Sequence, residues 1–465
     1  MIRLVALAIL VGGAIAGASA SLPVGDSDMY WHLANAKQMV VRGLVRTDLY
    51  SWTVAGAPVP TDQWLGDAIL GAGYTAASWV GVLAARTIAV AIVVGGIALA
   101  AFLRRPRSPV VALAVALPAI VLSRFLWTER PELFGVACFA TLVVLLQLPG
   151  PRPIMAIAPL LIVWANLHGS FALGVSLVLV ISAYGLWREP ELRRAYSIAA
   201  VGAMLALVAT PAGLGSLSTP SSHFLTPPRE IQEWSPPDIS TPAGAIWAAL
   251  LLLTLATAGL AGRASIRDLV LIVPLAMLSL VAIRHTPLFA IAAIPYLADR
   301  LPFAVRRVWT LAAPKDDDAR ERRTVDGRRA LDVANVAIGV ILLIAGIAIA
   351  PREPDESSYP TAALASLEPG PGLFAQYDWG GWLIWRAPST PVFVDGRLSV
   401  YRDPVLTDYI TVLEAGPGWR DVLERRGVRT ILVRPSDPLA VRAQELGWPV
   451  ISRSPVYVLI SVVHR

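Results

Sequence analysis

The sequence predicts a polytopic α-helical membrane protein that ends in a small α/β domain. Of its 465 residues, 55% are hydrophobic and 15% are charged, and the mean hydropathy is +0.61. Charged residues make up about a quarter of an ordinary soluble domain. Apolar runs of about 20 residues, the length that crosses the hydrocarbon core as a helix, recur through most of the chain before residue 350.

The charges between the apolar runs predict about eleven spans with the N-terminus inside. The spans are expected at 3–22, 80–103, 109–126, 133–149, 153–167, 170–187, 196–214, 243–262, 267–284, 286–304 and 331–350. The basic loops 104–107 and 306–329 then fall on the inner side. Membrane orientation therefore explains the net charge of +6, and no nucleic-acid partner is expected.

This arrangement predicts a multi-pass protein of the plasma (inner) membrane. Its first outer loop, 23–79, and everything after residue 350 are expected on the extracytoplasmic side. The first 20 residues also fit a signal peptide, with a basic start and an Ala18-Ser19-Ala20 ending. Apolar or small residues continue to Val24, which favours an uncleaved span. Both interpretations place Asp26 outside.

The chain changes character after residue 350, so two domains are expected. Residues 1–350, including the loop 23–79, form the predicted transmembrane domain, and residues 351–465 form the α/β domain. Strand-like runs at 391–395, 429–434, 448–452 and 456–463 alternate with helical patterns around 402–414, 417–426 and 438–446. Alternating strands and helices are typical of an α/β domain.

Two aspartates follow the first apolar run, in the stretch LPVGDSDMYWHLANA. The carboxylates of Asp26 and Asp28 repel each other unless a cation or a hydrogen-bond donor holds them. A divalent cation, Mg²⁺ or Mn²⁺, that also binds a phosphate is one solution, because these ions prefer oxygen ligands. The alternative is that the pair caps a helix that begins near Met29.

Basic and imidazole side chains recur at the outer ends of predicted spans. Arg130 lies between two glutamates in TERPELF, His168 lies in WANLHGSFALG, and Arg284 and His285 are adjacent in IRHTP. Arginine can grip a phosphate through two parallel hydrogen bonds. Charged groups at membrane depth usually mark a site or an ion pair. These residues are therefore candidates for phosphate binding, with interfacial ion pairs as the alternative.

After the first outer loop, the longest predicted outer loop between spans is rich in proline and covers residues 218–238. It carries Glu230 and Glu233 in the stretch STPSSHFLTPPREIQEWSPPD. Such a loop is expected either to fold over a cavity as a lid or to serve as a plain connector.

An aromatic segment, QYDWGGWLIW, opens the C-terminal domain at residues 376–385. Its candidate binding residues are Tyr377, Asp378, Trp379 and Trp382. Aromatic rings beside a carboxylate suit a sugar or a peptide, whereas an interfacial aromatic belt is the alternative. The pair Gly380 and Gly381 predicts a backbone turn. The stretch VFVDGR that follows, at 392–397, is interpreted as a strand and an Asp-Gly turn with a structural role.

This layout resembles the GT-C superfamily of glycosyltransferases, which use lipid-phosphate sugar donors. The segment QYDWGGWLIW looks like a degenerate tryptophan–tryptophan–aspartate motif of oligosaccharyltransferases. The resemblance implies that Asp26 or Asp28 is the catalytic base or a metal ligand. Further family acids would correspond to Glu129 or Glu132 in the second outer loop and to Glu230 or Glu233 in the long loop.

The expected function is transfer of a sugar from a polyprenyl-phosphate or polyprenyl-diphosphate donor. An aspartate would deprotonate the acceptor, while the donor phosphate would meet Arg130, His168, Arg284 and His285. The aromatic segment would bind the acceptor, which is a glycan, a lipid or a protein. The predicted outer loops hold no second Asp-x-Asp motif, and the leading tryptophan pair is missing, so protein N-glycosylation is not expected.

Two other functions remain open on the sequence. One is a transporter or flippase for lipid-linked glycans, and the other is a non-catalytic membrane assembly protein. Transporters place polar residues near the middle of the bilayer in broken helices. Here the polar residues crowd one predicted face, which favours the enzyme.

Overall fold

Helices dominate the fold, and the chain divides into two compact units. The computed structural model describes residues 1–105, 107–218, 232–261, 264–312, 328–398, 400–401 and 404–464. One unit, here called the helical unit, comprises residues 1–22 and 83–350. The other, here called the mixed unit, comprises residues 23–82 and 351–465. The first outer loop thus belongs to the same unit as the C-terminal part of the chain.

The helices before residue 350 follow the apolar runs of the sequence. They are α1 Ile2–Ser19, α2 Asp28–Arg42, α3 Trp64–Arg104, α4 Pro109–Ser123, α5 Pro131–Gln147, α6 Pro151–Leu167, α7 Phe171–Arg188, α8 Arg193–Ala206, α9 Pro242–Leu260, α10 Ile266–Val281, α11 Thr286–Ala312 and α12 Arg328–Ala348. Every predicted span contains one of these helices, so the predicted polytopic helical architecture is confirmed. Within the described ranges, seven helical segments are long and apolar enough to cross a membrane.

Helices α5 and α6 are shorter than a full span. Each has 17 residues, which corresponds to a length of about 25 Å. The hydrocarbon core is about 30 Å thick. These two apolar helices therefore account for part of the difference between the predicted number of spans and the number of long helices.

Helix α3 is two helical segments joined by a kink. Ala77 (φ −147°) and Ser78 (φ +53°) leave the helical conformation. The kink brings Gly73 and Gly81 together, because a Cβ on Gly81 would lie 1.9 Å from the carbonyl oxygen of Gly73. The segment after the kink matches the predicted span at 80–103, and the segment before it was expected as part of the outer loop.

Small residues let α1 and α12 pack at very close range. A Cβ on Gly13 would lie 2.0 Å from the carbonyl oxygen of Gly339, and one on Gly346 would lie 2.2 Å from that of Gly17. Close backbone approach through glycine is a common way to join helices in a membrane, where apolar side chains gain little by leaving lipid.

The C-terminal part of the mixed unit contains a four-stranded sheet and short helices. The elements are β1 Leu373–Ala375, α13 Gly380–Arg386, α14 Val405–Leu413, α15 Trp419–Arg426, β2 Thr430–Val433, α16 Pro438–Glu445, β3 Val450–Arg453 and β4 Val458–Ser461. The strand order is β1-β2-β4-β3, with β1 parallel to β2 and the other pairs antiparallel. The predicted α/β character of this region is confirmed.

One predicted strand, 391–395, is wrong as a member of this sheet. Its backbone pairs instead with the first loop: Val392 donates its N–H to the carbonyl of Tyr50 at 3.0 Å, and Trp52 donates to Val392 at 3.1 Å. Val392 and Phe393 are fully buried. The run is apolar because it lies in the core, while its backbone partners come from a segment more than 300 residues earlier.

Candidate functional site

The two aspartates of the first loop lie at the start of α2. Asp26 accepts a hydrogen bond from the backbone N–H of Asp28 at 2.9 Å. This bond over two residues is an Asx turn that leads into the helix. The N-cap residue is Ser27, whose side chain makes no capping hydrogen bond. Both aspartate side chains are partly exposed. Asp28 is the first residue of the helix.

Two glycine-containing segments of the C-terminal part pack directly on this helix start. A Cβ on Gly396 would lie 1.7 Å from Oδ1 of Asp28, and a Cβ on Gly381 would lie 2.3 Å from the carbonyl oxygen of Ser27. Real Cβ atoms do not approach other atoms this closely. The aspartates and these two segments therefore form one packed site within the mixed unit.

The glycine pair in the aromatic segment does not form the predicted turn. Gly380 and Gly381 are the first residues of α13, and Gly380 has an ordinary helical φ of −56°. A Cβ on Gly380 would lie 2.5 Å from the carbonyl oxygen of Val394. Close packing, rather than backbone freedom, is thus the physical reason for glycine at both positions.

Aromatic rings line the surroundings of the aspartates. The ring of Tyr359 stacks on that of Trp382, with centroids 5.3 Å apart and planes 20° apart. Burial, followed by the charges of Asp26 and Asp28, raises the pKa of Tyr359. Tyr30 meets Tyr359 edge-on at 5.7 Å. The stacked pair of Tyr359 and Trp382 therefore lies within the electrostatic field of both carboxylates.

The other residues of the aromatic segment have different surroundings. Asp378 is largely exposed and pairs with Arg434 at 2.8 Å. Trp379 is buried, and Tyr377 donates its backbone N–H to the hydroxyl of Tyr409 at 2.8 Å. Acceptor binding by Tyr377, Asp378, Trp379 and Trp382 stays a prediction.

A buried polar chain extends from α2 along the first loop. His32, one helical turn after Asp28, places Nδ1 2.6 Å from Oδ1 of Asp67. Asn35 donates to the other oxygen of Asp67 at 3.1 Å and accepts a hydrogen bond from the Tyr50 hydroxyl at 2.9 Å. Sequence analysis did not pair His32 with Asp67, because the pairing depends on how α3 packs. The sequence held no local signal for this pair, since the two residues are 35 positions apart.

The oxygen ligands at the acid pair suit a hard divalent cation. In the part of the chain that the structure describes, no group of three or more His, Cys, Asp or Glu side chains is arranged to hold a metal. Mg²⁺ commonly binds one or two carboxylates together with substrate phosphate and water. Asp26 and Asp28 therefore fit a cation whose remaining ligands come from water or a bound substrate, and among the described residues they do not form a metal site closed by protein ligands alone.

A second cluster, in the helical unit, is built around Arg284. Its Nη1 donates to Glu233 at 2.9 Å and its Nη2 donates to Glu132 at 2.5 Å. The guanidinium carbon lies 4.5 Å from the ring centre of Trp234, and that ring meets His285 edge-on at 6.1 Å. The structure thus brings together acids from two predicted outer loops with the predicted phosphate-binding arginine.

The remaining predicted phosphate ligands lie around the same cluster. The charges of His168 and Arg130 act on the carboxylate of Glu132. His168 also contacts the hydroxyl of Ser170 through Nδ1 at 2.9 Å. Glu230 lies outside the described residues. Phosphate binding by Arg130, His168, Arg284 and His285 stays a prediction.

Glu129 has a partner that sequence analysis missed. It forms a buried ion pair with Arg86, whose Nη2 also donates to the carbonyls of Ser19 at 3.0 Å and Leu22 at 2.9 Å. Arg86 lies inside a predicted span, where charged residues are rare. An arginine inside a span was therefore the signal in the sequence for a buried acidic partner.

Comparison with known proteins identifies the fold. No protein-family model matches the chain, and no curated protein matches it. The crystal structure of the Archaeoglobus fulgidus oligosaccharyltransferase tethered with an acceptor peptide is similar, with a TM-score of 0.57 and 12% identity over 92% of this chain and 68% of that one. ArnT from Cupriavidus metallidurans in the apo state gives a TM-score of 0.50 and 15% identity over 98% and 96% of the two chains. The chain therefore shares the fold of these two proteins.

A third similar structure contains a lipid phosphate. Archaeal oligosaccharyltransferase AglB from Archaeoglobus fulgidus, in complex with an inhibitory peptide and a dolichol-phosphate, has a TM-score of 0.56 and 11% identity over 92% of this chain and 69% of that one. The predicted resemblance to the GT-C superfamily is therefore confirmed for the fold of this membrane protein.

Proposed function

We propose that this protein transfers a sugar from a polyprenyl-phosphate or polyprenyl-diphosphate donor to an acceptor on the extracytoplasmic face of the plasma membrane. The observation that carries the proposal is the packing of Asp28 on Gly396, beside the stacked rings of Tyr359 and Trp382. A partly exposed carboxylate held against aromatic rings suits a base that meets a sugar acceptor. The GT-C fold supports this class of reaction.

The class of donor is proposed from the fold and from the chemistry of the two clusters. The similar archaeal structure contains a dolichol-phosphate, which is a polyprenyl-type lipid phosphate. In this chain, Arg284 already holds anionic oxygens through both arms of its guanidinium. A phosphate offers the same kind of oxygen. We assign Arg284 to the donor phosphate, which would replace Glu132 or Glu233 on the guanidinium, with Arg130, His168 and His285 around it.

In the proposed reaction, Asp28 accepts a proton from the acceptor's hydroxyl or amide group as that group attacks the sugar. A bond forms between the acceptor and the anomeric carbon, and the bond from that carbon to the phosphate oxygen breaks. The polyprenyl phosphate, or the polyprenyl diphosphate where that is the donor, leaves with the bonding electron pair. A Mg²⁺ or Mn²⁺ ion held by Asp26 and Asp28 would supply positive charge where the acceptor group loses its proton.

The test compares Asp28→Asn with the wild-type protein, purified in detergent and supplied with radiolabelled polyprenyl-phosphate sugars of several kinds. The assay measures release of polyprenyl phosphate in the presence of an extract of the native cell envelope as acceptor source. Loss of a general base is expected to lower turnover about 100- to 10,000-fold. The variant should elute and melt as the wild-type protein does.

The matched control is Asp421→Asn, which removes an exposed carboxylate on α15 of the same unit. It should keep wild-type turnover. Wild-type turnover in Asp28→Asn would refute the role of Asp28. Absence of release by the wild-type protein from every donor would refute the donor class.

A further inference from the structure

We propose that the turn formed by Asp395, Gly396 and Arg397 is a positioning element that holds the Asp28 carboxylate in place for catalysis. The proposal rests on the proposed role of Asp28 as the base. The sequence suggested only a structural Asp-Gly turn at this position. The contacts of the turn assign it a more specific role.

The first argument is the direct contact between Gly396 and Asp28. A Cβ on Gly396 would lie 1.7 Å from Oδ1, 2.5 Å from Cγ and 2.8 Å from Oδ2 of Asp28. Gly396 is not among the glycines with positive φ, so backbone freedom does not explain it. The space that a side chain would occupy is filled by the carboxylate of Asp28. Any larger residue at 396 must displace either that carboxylate or the turn.

The second argument is that the turn is held rigidly on both sides of Gly396. Arg397 donates to Asp395 through Nε at 2.8 Å and through Nη2 at 2.6 Å, and its backbone N–H donates to the same carboxylate at 2.9 Å. The hydroxyl of Tyr401 donates to Asp395 at 2.6 Å. These bonds join the residues on the two sides of Gly396 and hold the backbone of the turn rigid.

The third argument is that a residue of the first loop, Asp48, also binds Arg397. Nη1 of Arg397 lies 2.6 Å from Oδ1 of Asp48. The other oxygen of Asp48 accepts hydrogen bonds from the backbone N–H of Ser51 at 3.0 Å and from its hydroxyl at 2.7 Å. Asp395, Arg397 and Asp48 are 0%, 4% and 3% exposed. A buried charge network is often less favourable than apolar packing of the same volume. Here the network includes the residues on both sides of Gly396, which contacts the carboxylate assigned to catalysis. A role in holding that turn in place accounts for it.

The helix that carries Asp28 is held from a second direction. Gly381 approaches the carbonyl oxygen of Ser27, the residue immediately before Asp28, so closely that a Cβ there would lie 2.3 Å away. The backbone before Asp28 and the carboxylate of Asp28 are thus each packed against a glycine. A displacement of about 1 Å at a catalytic group can lower a rate about 100-fold.

The experiment is a double-mutant cycle between Gly396→Ala and Asp28→Asn, with turnover and donor KM as readouts. Gly396→Ala is expected to lower kcat about 100-fold, while donor KM stays within about twofold of wild type because the donor phosphate is held elsewhere. In the Asp28→Asn background, Gly396→Ala should cause no further loss of kcat. The same 100-fold loss in both backgrounds would overturn the proposal.

The control variant is Gly416→Ala in the same unit, where the nearest atom to an added Cβ is 3.6 Å away. It should leave kcat and the melting temperature unchanged. If Gly396→Ala does not yield folded protein, the double variant Gly396→Ala with Asp28→Ala removes the obstructing carboxylate. Recovery of folded protein in that variant supports the contact, and its absence overturns the proposal.

Failure of the proposed function would be distinguishable from failure of this inference. Wild-type turnover in Asp28→Asn alone refutes the catalytic role of Asp28, whatever Gly396→Ala does. A normal effect of Asp28→Asn together with wild-type kcat in Gly396→Ala refutes only the positioning role of the turn.

Discussion

Replacement of Asp62 by asparagine should stabilise the protein at neutral pH and not at acidic pH. Asp62 lies just before α3 and is 1% exposed. Among the described residues, its Oδ1 has no hydrogen-bond partner. Burial, with a smaller contribution from the charge of Asp67, raises the pKa of Asp62 to about 6. The folded protein therefore carries an unfavourable buried charge once the pH exceeds that value.

The magnitude follows from the difference between the folded and unfolded pKa values. The ordinary pKa of an aspartate is about 4, so the two differ by about two pH units, which corresponds to about 3 kcal/mol. Because the folded pKa is the higher one, the folded state binds the extra proton. The favourable contribution is complete below about pH 4 and is lost as the pH rises through 6. Asp62→Asn, which carries no charge, removes this dependence.

The assay is thermal unfolding of wild type and Asp62→Asn in detergent, followed by tryptophan fluorescence at several pH values from 4.5 to about 7.5. The melting temperature of the variant relative to wild type should rise with pH and level off above about pH 7. Asp421→Asn serves as the exposed control and should show no such trend. A difference between Asp62→Asn and wild type that is independent of pH, or a variant that is less stable at pH 7.5, would refute the reasoning.

Two further predictions concern arginines of the helical unit. Arg284→Lys keeps a positive charge but loses the planar fork that reaches both Glu132 and Glu233. Titration of the variant with the donor should therefore show weaker binding than in the wild type. Unchanged donor affinity would assign Arg284 to a structural ion pair. Arg86→Met leaves Glu129 buried without its cation and should destabilise the fold by about 3–5 kcal/mol. The double variant Arg86→Met with Glu129→Leu should recover part of that loss in detergent melting, and a single variant that melts like wild type would contradict the prediction.

The sequence by itself determined where the apolar spans before residue 350 lie, although it did not predict the part of α3 before the kink. The transfer of apolar residues into lipid depends on the composition of about 20 neighbouring positions, so the signal is local. The strands at 430–433 and 458–461 and the helices α14, α15 and α16 were also predictable, because their patterns repeat within a few residues. Helix α13 was not predicted, since a turn was expected at its glycine pair. The pair Asp26 and Asp28 was visible for the same reason, since both aspartates lie in one short stretch.

The tertiary structure alone decided which distant residues meet. Gly396 contacts Asp28, and the run at 391–395 pairs with the first loop, across more than 300 residues of sequence. No local pattern records such a contact, because side-chain periodicity reports burial and not the identity of the partner. Glycine illustrates the reason most directly. In the sequence, Gly380, Gly381 and Gly396 look like turn residues, but what requires glycine there is the approach of atoms from another part of the chain.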